Sequence, residues 1–316
     1  MSDITCESND RDYVLASIEK CAWNLKYASA ELRADREIVK NAVKRSGGTL
    51  YYASAELCAD REIVMYAVEN NGCALQYASA DLRADREIVL RALKYTSRAF
   101  EYADSKFYGD RDVMLQALKH DGNWLKSASD ELCADREVVL RAVKNSGWVL
   151  EWASDELRAD REVVLRAVKN CGCALRDASD DLRADIEIVK CAISNRAAAI
   201  RYACAEIRAN REIVTWAVEL DGYVLQHASA ELRADLELVS RAITHHAYII
   251  NAVNPKLCAD RTSMLYLVKQ NGLVLKYASA ELRADLEVVL AAIKNRVYAL
   301  KYASADLRKG FHKLGL

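Results

Sequence analysis

Three carboxylate pairs, Asp130–Glu131, Asp155–Glu156 and Asp180–Asp181, recur at 25-residue intervals, with Trp148 and Trp152 among them. Two adjacent carboxylates can act as general acid and base when their surroundings drive their pKa values apart. A catalytic centre is needed once, however, and a pair repeated down the chain reads as surface patterning. Six carboxylates beside exposed tryptophans suit a basic, partly apolar segment of another protein, charges guiding and aromatics anchoring. The candidate contact residues are Asp130, Trp148, Glu151, Trp152, Asp155, Arg176, Asp177 and Asp180, with Trp124 in the same region. Arg136, Arg158, Arg161 and Arg183 stand one or two residues from aspartates that recur in every copy but one, and could neutralise part of the row internally.

No other residues offer a better centre. The five histidines have no cysteine or serine partner at nucleophile spacing. His245 and His246 diverge by about 100° if helical, so they do not converge on a metal. The ten cysteines include no CxxC, and zinc-ligand spacing is absent. Catalytic residues, cofactor and metal are therefore not expected. Sporadic thiols such as Cys58, Cys133 and Cys258, in a column otherwise mostly arginine, imply unbridged cysteines in a reducing, cytoplasmic setting.

What positions these residues is a repeat. Aspartate recurs every 25 residues from Asp10 to Asp285, with Asn210 the one exception, giving twelve tandem copies over Asp10–Lys309 without insertion or deletion. Met1–Asn9 and Gly310–Leu316 flank the array as tails. A fixed period of this size marks a quasi-one-dimensional stack. In the copy Asp135–Ala159 the aspartate is an N-cap, and Glu137 sits where the helix dipole favours an anion. Val138, Val139, Ala142 and Val143 share one face, Glu137 and Arg141 form an i,i+4 pair, and Gly147 stands as the stop. Val149, Leu150, Ala153 and Leu157 predict a second short helix ending in a turn near Ser154–Glu156. A continuous helix would also keep register over 25 residues, but the caps, the glycine column and Pro255 oppose it. The expected fold is all-α, an α-solenoid superhelix of twelve two-helix repeats.

The string ASAELRADREIV at Ala28–Val39, with its variants ASDELRADREVV and ASDDLRADIEIV, resembles the tandem-repeat family called domain of unknown function 4116. Its members carry LxxAS-xxLRxD-xEVVxxAVxxNG units, two of the present copies making one family domain. The resemblance implies helical repeats across the chain and no biochemical activity. Asp104–Ser105, Phe107–Gly109 and Val253–Lys256 depart most from the pattern, and local geometry is expected to differ there.

Columns filled by one residue type are structural, whereas variable columns are open to recognition. The column from Trp23 to Tyr298 holds tryptophan, glycine, cysteine, arginine, asparagine, alanine, tyrosine and leucine. Four residues further on, tyrosine occupies seven of twelve copies, either as aromatic platforms or, more simply, covering the seams between copies. Forty-five basic against forty-six acidic side chains supply no global field for nucleic acid or anionic membrane. No run of eighteen apolar residues spans a bilayer, and MSDITCESND has no secretory pattern. The expectation is a non-enzymatic scaffold for another protein, as adaptor or assembly subunit. Single-stranded nucleic-acid binding is the alternative, and it would require a net basic groove.

Overall fold

Each copy begins where its aspartate stops being helical. In the computed structural model, which describes residues 8–244, 247–250 and 254–313, Asp35 is extended. Its carboxylate accepts from the N–H groups of Glu37 and Ile38 at 2.9 and 3.1 Å. The ten-residue helix Arg36–Arg45 follows and buries Ile38, Val39, Ala42 and Val43. Ser46 returns to an extended conformation and ends it. No helix among the described residues exceeds ten residues, so the continuous-helix alternative is excluded.

The second apolar run differs from its expectation. It splits into a 3₁₀ helix, Gly47–Tyr52, and a single α-turn, Ala55–Cys58, separated by extended Ala53 and Ser54. Each regular copy thus holds three helical segments rather than two. The break has a tertiary cause. Ser54 donates its N–H to the Arg33 carbonyl of the preceding copy at 3.0 Å, and its hydroxyl accepts from Leu57 N–H. A serine that can cap the next turn competes with helix continuation, and here it wins. In the two divergent copies the α-turn becomes 3₁₀, Ser105–Gly109 capped by Asp104 and Pro255–Cys258 capped by Asn254. His245, His246, Ala252 and Val253 lie outside the described residues.

The copies fall into two compact units, Met1–Arg166 and Ala167–Leu316. In the first, Leu25, Leu50, Leu75, Leu125 and Leu150, with Phe100 in the same column, are wholly buried; in the second, Leu175, Ile200, Leu225, Ile250 and Leu275 are.

Three further columns bind copy to copy. The serine-type bond recurs as Ser79 to Cys58, Asp104 to Arg83 and Ser154 to Cys133 in the first unit, and as Ser229 to Arg208 and Ser304 to Arg283 in the second, all at 2.8–3.0 Å. Where an arginine follows the cap it reaches the next copy's cap and first-turn acid: Arg111 to Asp135 at 2.7 Å and Glu137 at 2.6 Å, Arg261 to Asp285 at 2.8 Å and Glu287 at 2.6 Å. Glu137 therefore pairs with Arg111 rather than with Arg141 of its own helix.

Glycine is needed for close approach rather than as a left-handed stop. None of Gly47, Gly72, Gly122, Gly172, Gly222 and Gly272 has a positive φ, and each lies against the carbonyl oxygen of an alanine in the next copy. An asparagine of that next copy often completes the joint. Asn195 Oδ1 accepts from Gly172 N–H at 2.7 Å while its Nδ2 donates to the Lys169 carbonyl at 3.1 Å, and Asn70 and Asn295 repeat this on Gly47 and Gly272. The five asparagines in this column, Asn70, Asn145, Asn170, Asn195 and Asn295, all follow a copy that carries the glycine.

The cap column yields a paired prediction. Asp160 caps Glu162 and Val163 and also accepts from Arg136 at 2.8 Å, so Asp160→Ala should destabilise by about 1 kcal/mol or slightly more at neutral pH. Asn210 makes the same two backbone bonds, and the arginine that would face it is Ile186. Asn210→Asp should consequently be nearly neutral. The Arg136 hydrogen bond holds the Asp160 carboxyl below the usual range. A lowered folded pKa gives stability that is present above about 3.9 and lost as pH falls through the folded value. The wild-type minus Asp160→Ala difference should shrink over that acidic window, as measured by urea melts at stepped pH.

Candidate partner-binding surface

Asp130, Asp155 and Asp180 open single α-turns, where an anion is favoured and the side chain faces water, and all three are exposed. Two of them are neutralised locally. Asp155 pairs with Arg158 and Asp180 with Arg183, one turn on in each case. In Asp130's turn that arginine is replaced by Cys133, and Asp130 has no ion pair among the described residues. The neighbouring Glu131 and Glu156 sit below the usual carboxylate range, held there by hydrogen bonds from their own backbone N–H and from Ser129 and Ser154. Arg136 is committed elsewhere, to Asp160 and Glu162.

Trp148 and Trp152 lie on one 3₁₀ helix, Gly147–Trp152, and are 42% and 43% exposed, with Glu151 between them half-buried. That exposure is what an aromatic anchor needs before a partner arrives. Trp124 differs from its expectation: it is half-buried and packs edge-on against Phe100 at 5.1 Å. In the second unit Arg176 and Asp177 bind each other at 2.9 Å, and the Asp177 side chain is only 12% exposed. The first unit therefore brings Trp148, Trp152, Asp155 and unpaired Asp130 to its surface, whereas the second contributes mostly internally satisfied charge.

The tyrosine column behaves as a seam cover. Its seven tyrosines, from Tyr27 to Tyr302, are half-buried, whereas Trp152 in the same column is exposed, and rings of successive copies touch, as in Trp23–Tyr52 at 6.2 Å and Tyr51–Tyr77 at 5.3 Å. A cluster that sequence reasoning missed stands here. Trp23, Tyr51, Tyr52 and Tyr77 form one aromatic patch, and Gly48 leaves room for the Trp23 ring, which a Cβ would approach to 2.9 Å. The only signal was that Gly48 is the one glycine in its variable column.

Two cysteines and a histidine of the array are half-buried. Cys58 and Cys133 direct their sulfurs at the Leu50 and Leu125 carbonyls, and burial pushes both thiols up, away from the reactive thiolate. Burial, aided by Arg201 and Arg208, lowers the His227 pKa. Among the described residues no three His, Cys, Asp or Glu side chains gather as a metal site requires. No described helix is long and apolar enough to cross a membrane.

No curated protein matches the chain. The family model described as Domain of unknown function (DUF4116) matches residues 10–58, 60–108, 110–158, 160–208, 210–258 and 260–308. Each match spans two of the 25-residue copies, the break falling one residue before every second cap. Six matches in tandem cover the array from end to end, and the chain belongs to the DUF4116 family.

Proposed function

We propose that the protein is a non-enzymatic helical-repeat scaffold that binds another protein, with Trp148 and Trp152 as the anchor and Asp130, Glu131 and Glu156 as the charged rim. One observation carries this reading. The invariant columns are consumed in copy-to-copy bonding, while Trp148 sits in a variable column and Trp152 replaces the usual tyrosine of the seam column, both exposed on a single short helix. A basic segment with an apolar side chain matches that surface. Adaptor and permanent subunit use the same contacts and differ in lifetime.

Affinity capture on the full-length protein, followed by mass spectrometry, tests the reading. Trp152→Ala should weaken capture of the main partner by about tenfold, as loss of an aromatic anchor does. Asp130→Ala should cost less, mainly by lowering salt sensitivity, and more than Asp155→Ala, whose carboxylate Arg158 already neutralises. If a Trp148→Ala, Trp152→Ala double variant retained every wild-type partner, this surface would not be the one used. Recovery of nucleic acid instead of protein, lost steeply with salt, would favour the other class of ligand.

A further inference from the structure

The long helices of the unit Met1–Arg166 carry a second surface. After the first, Arg11–Lys20, which buries only Val14 and Ile18, they bury the third, fourth, seventh and eighth residues after the cap, as Ile63, Val64, Ala67 and Val68 do, and this completes the core. The fifth position is apolar again in most copies: Leu15, Met65, Leu90, Leu115 and Leu140 are all half-exposed. Shallow depressions lie over this stripe at equivalent places in successive copies. One of about 380 Å³ is lined by Arg61, Glu62, Met65, Tyr66 and Glu69, and one of about 460 Å³ by Arg86, Glu87, Leu90, Arg91 and Lys94.

The two flanks of the stripe differ in charge. On the cap side every arginine is matched by acids of the next copy, as Arg86 is by Asp110 and Asp112, both at 2.8 Å. On the other side Lys44, Lys94, Lys119 and Lys144 form an exposed row at the helix ends. The acids in that column, Glu19 and Glu69, are outnumbered, and Glu69 is taken by Arg91 at 2.9 Å. The arginines that follow the caps hold the acids at the helix starts, so in this column lysines outnumber acids and the edge is net positive.

We infer that this face docks an acidic segment of another protein whose leucine-like side chains fill the depressions. The apolar stripe calls for side chains between the charges, which a phosphate backbone lacks. Nucleic acid would want open aromatic platforms, and the one aromatic ring in these two depressions, Tyr66, is capped by Lys44 at 4.3 Å and Lys40 at 5.1 Å. This surface is carried by different helices from Trp148 and Trp152, so it stands or falls separately.

The test uses the full chain and a fluorescent synthetic helix with leucine every fourth residue and glutamate between. Anisotropy should show salt-sensitive binding that Lys94→Glu with Lys119→Glu weakens by at least tenfold. Leu90→Ser should weaken it severalfold, while Trp152→Ala leaves it unchanged. Both lysines are exposed, so thermal melts should report intact folding in that variant. The same peptide with lysine for glutamate should not bind the Trp148→Ala, Trp152→Ala double variant, in which the acidic tryptophan surface is disabled. Absence of binding by the acidic peptide overturns the inference, as does equal binding by the Lys94→Glu, Lys119→Glu variant. Tighter binding of single-stranded polyuridine, unaffected by Leu90→Ser, would assign the lysine edge to nucleic acid and overturn it as well.

Discussion

Leu150→Ala should lower the unfolding free energy by about 2–5 kcal/mol, the range for removing a buried leucine and leaving a cavity that the surroundings only partly fill. Leu150 is wholly buried on the 3₁₀ helix Gly147–Trp152, and its column is equally buried in Leu125 and Leu50. The column tolerates shape change but not loss of volume: nature places Phe100 and Ile200 there, both wholly buried. Leu150→Ile should therefore cost well under half of what Leu150→Ala does. In a stacked array each copy is stabilised chiefly by its neighbours, so the loss weakens the seams on either side of the substituted copy. Urea denaturation followed by far-UV circular dichroism reads the difference. A midpoint unchanged by Leu150→Ala would mean the leucine column does not hold the array together.

The parts of the fold legible in the sequence were those whose cause is local. An aspartate that binds two N–H groups within three residues is a contact between near neighbours, and so Asp35 or Asp135 could be recognised as a cap by its position before an apolar stripe. The leucine column was legible for a related reason, since helical period alone separates Leu25 or Leu125 from the variable positions. What escaped were the bonds made across a seam. Arg111 is 24 residues from Asp135 and 26 from Glu137, and only the stacking direction reveals that they meet. The same ignorance suggested pairing Glu137 with Arg141. Splitting the second helix needed the bond from Ser54 N–H to the preceding copy, although Ser54 followed by Glu56 already hinted at a helix start.

The candidate site follows the same division. That Trp148 stands in a variable column and that Trp152 breaks the tyrosine column was visible, and variability is what exposure permits. That Arg158 and Arg183 cancel Asp155 and Asp180 was foreseeable from their spacing of three residues. By contrast, Trp124 is in the same region of sequence yet turns inward, because Phe100 of the preceding copy offers an edge to pack on. Neighbouring residues in sequence share a surface only if the seam leaves both uncovered.

Gly122→Val should cost about 3 kcal/mol, at the upper end of what overpacking a tight joint usually does. A Cβ at Gly122 would press on the Ala142 carbonyl oxygen and lie 3.0 Å from Ser146 Cβ and 3.1 Å from Ser146 N. These are mostly backbone atoms of the next copy, which cannot swing aside as a flexible side chain could, and the two methyl groups of valine add further bulk. The same substitution already exists in the chain where nothing opposes it. Val297 occupies the glycine column of the twelfth copy and is 73% exposed. Val297→Gly should accordingly gain no stability, and would lose a little through the added freedom of the unfolded chain. The contrast separates the two accounts of this column. If glycine were needed to end the helix in a left-handed turn, position 297 would suffer from valine as much as position 122. If it is needed for one copy to touch the next, only Gly122→Val is damaging, and its loss should appear as an earlier melting transition with the helical signal before melting preserved.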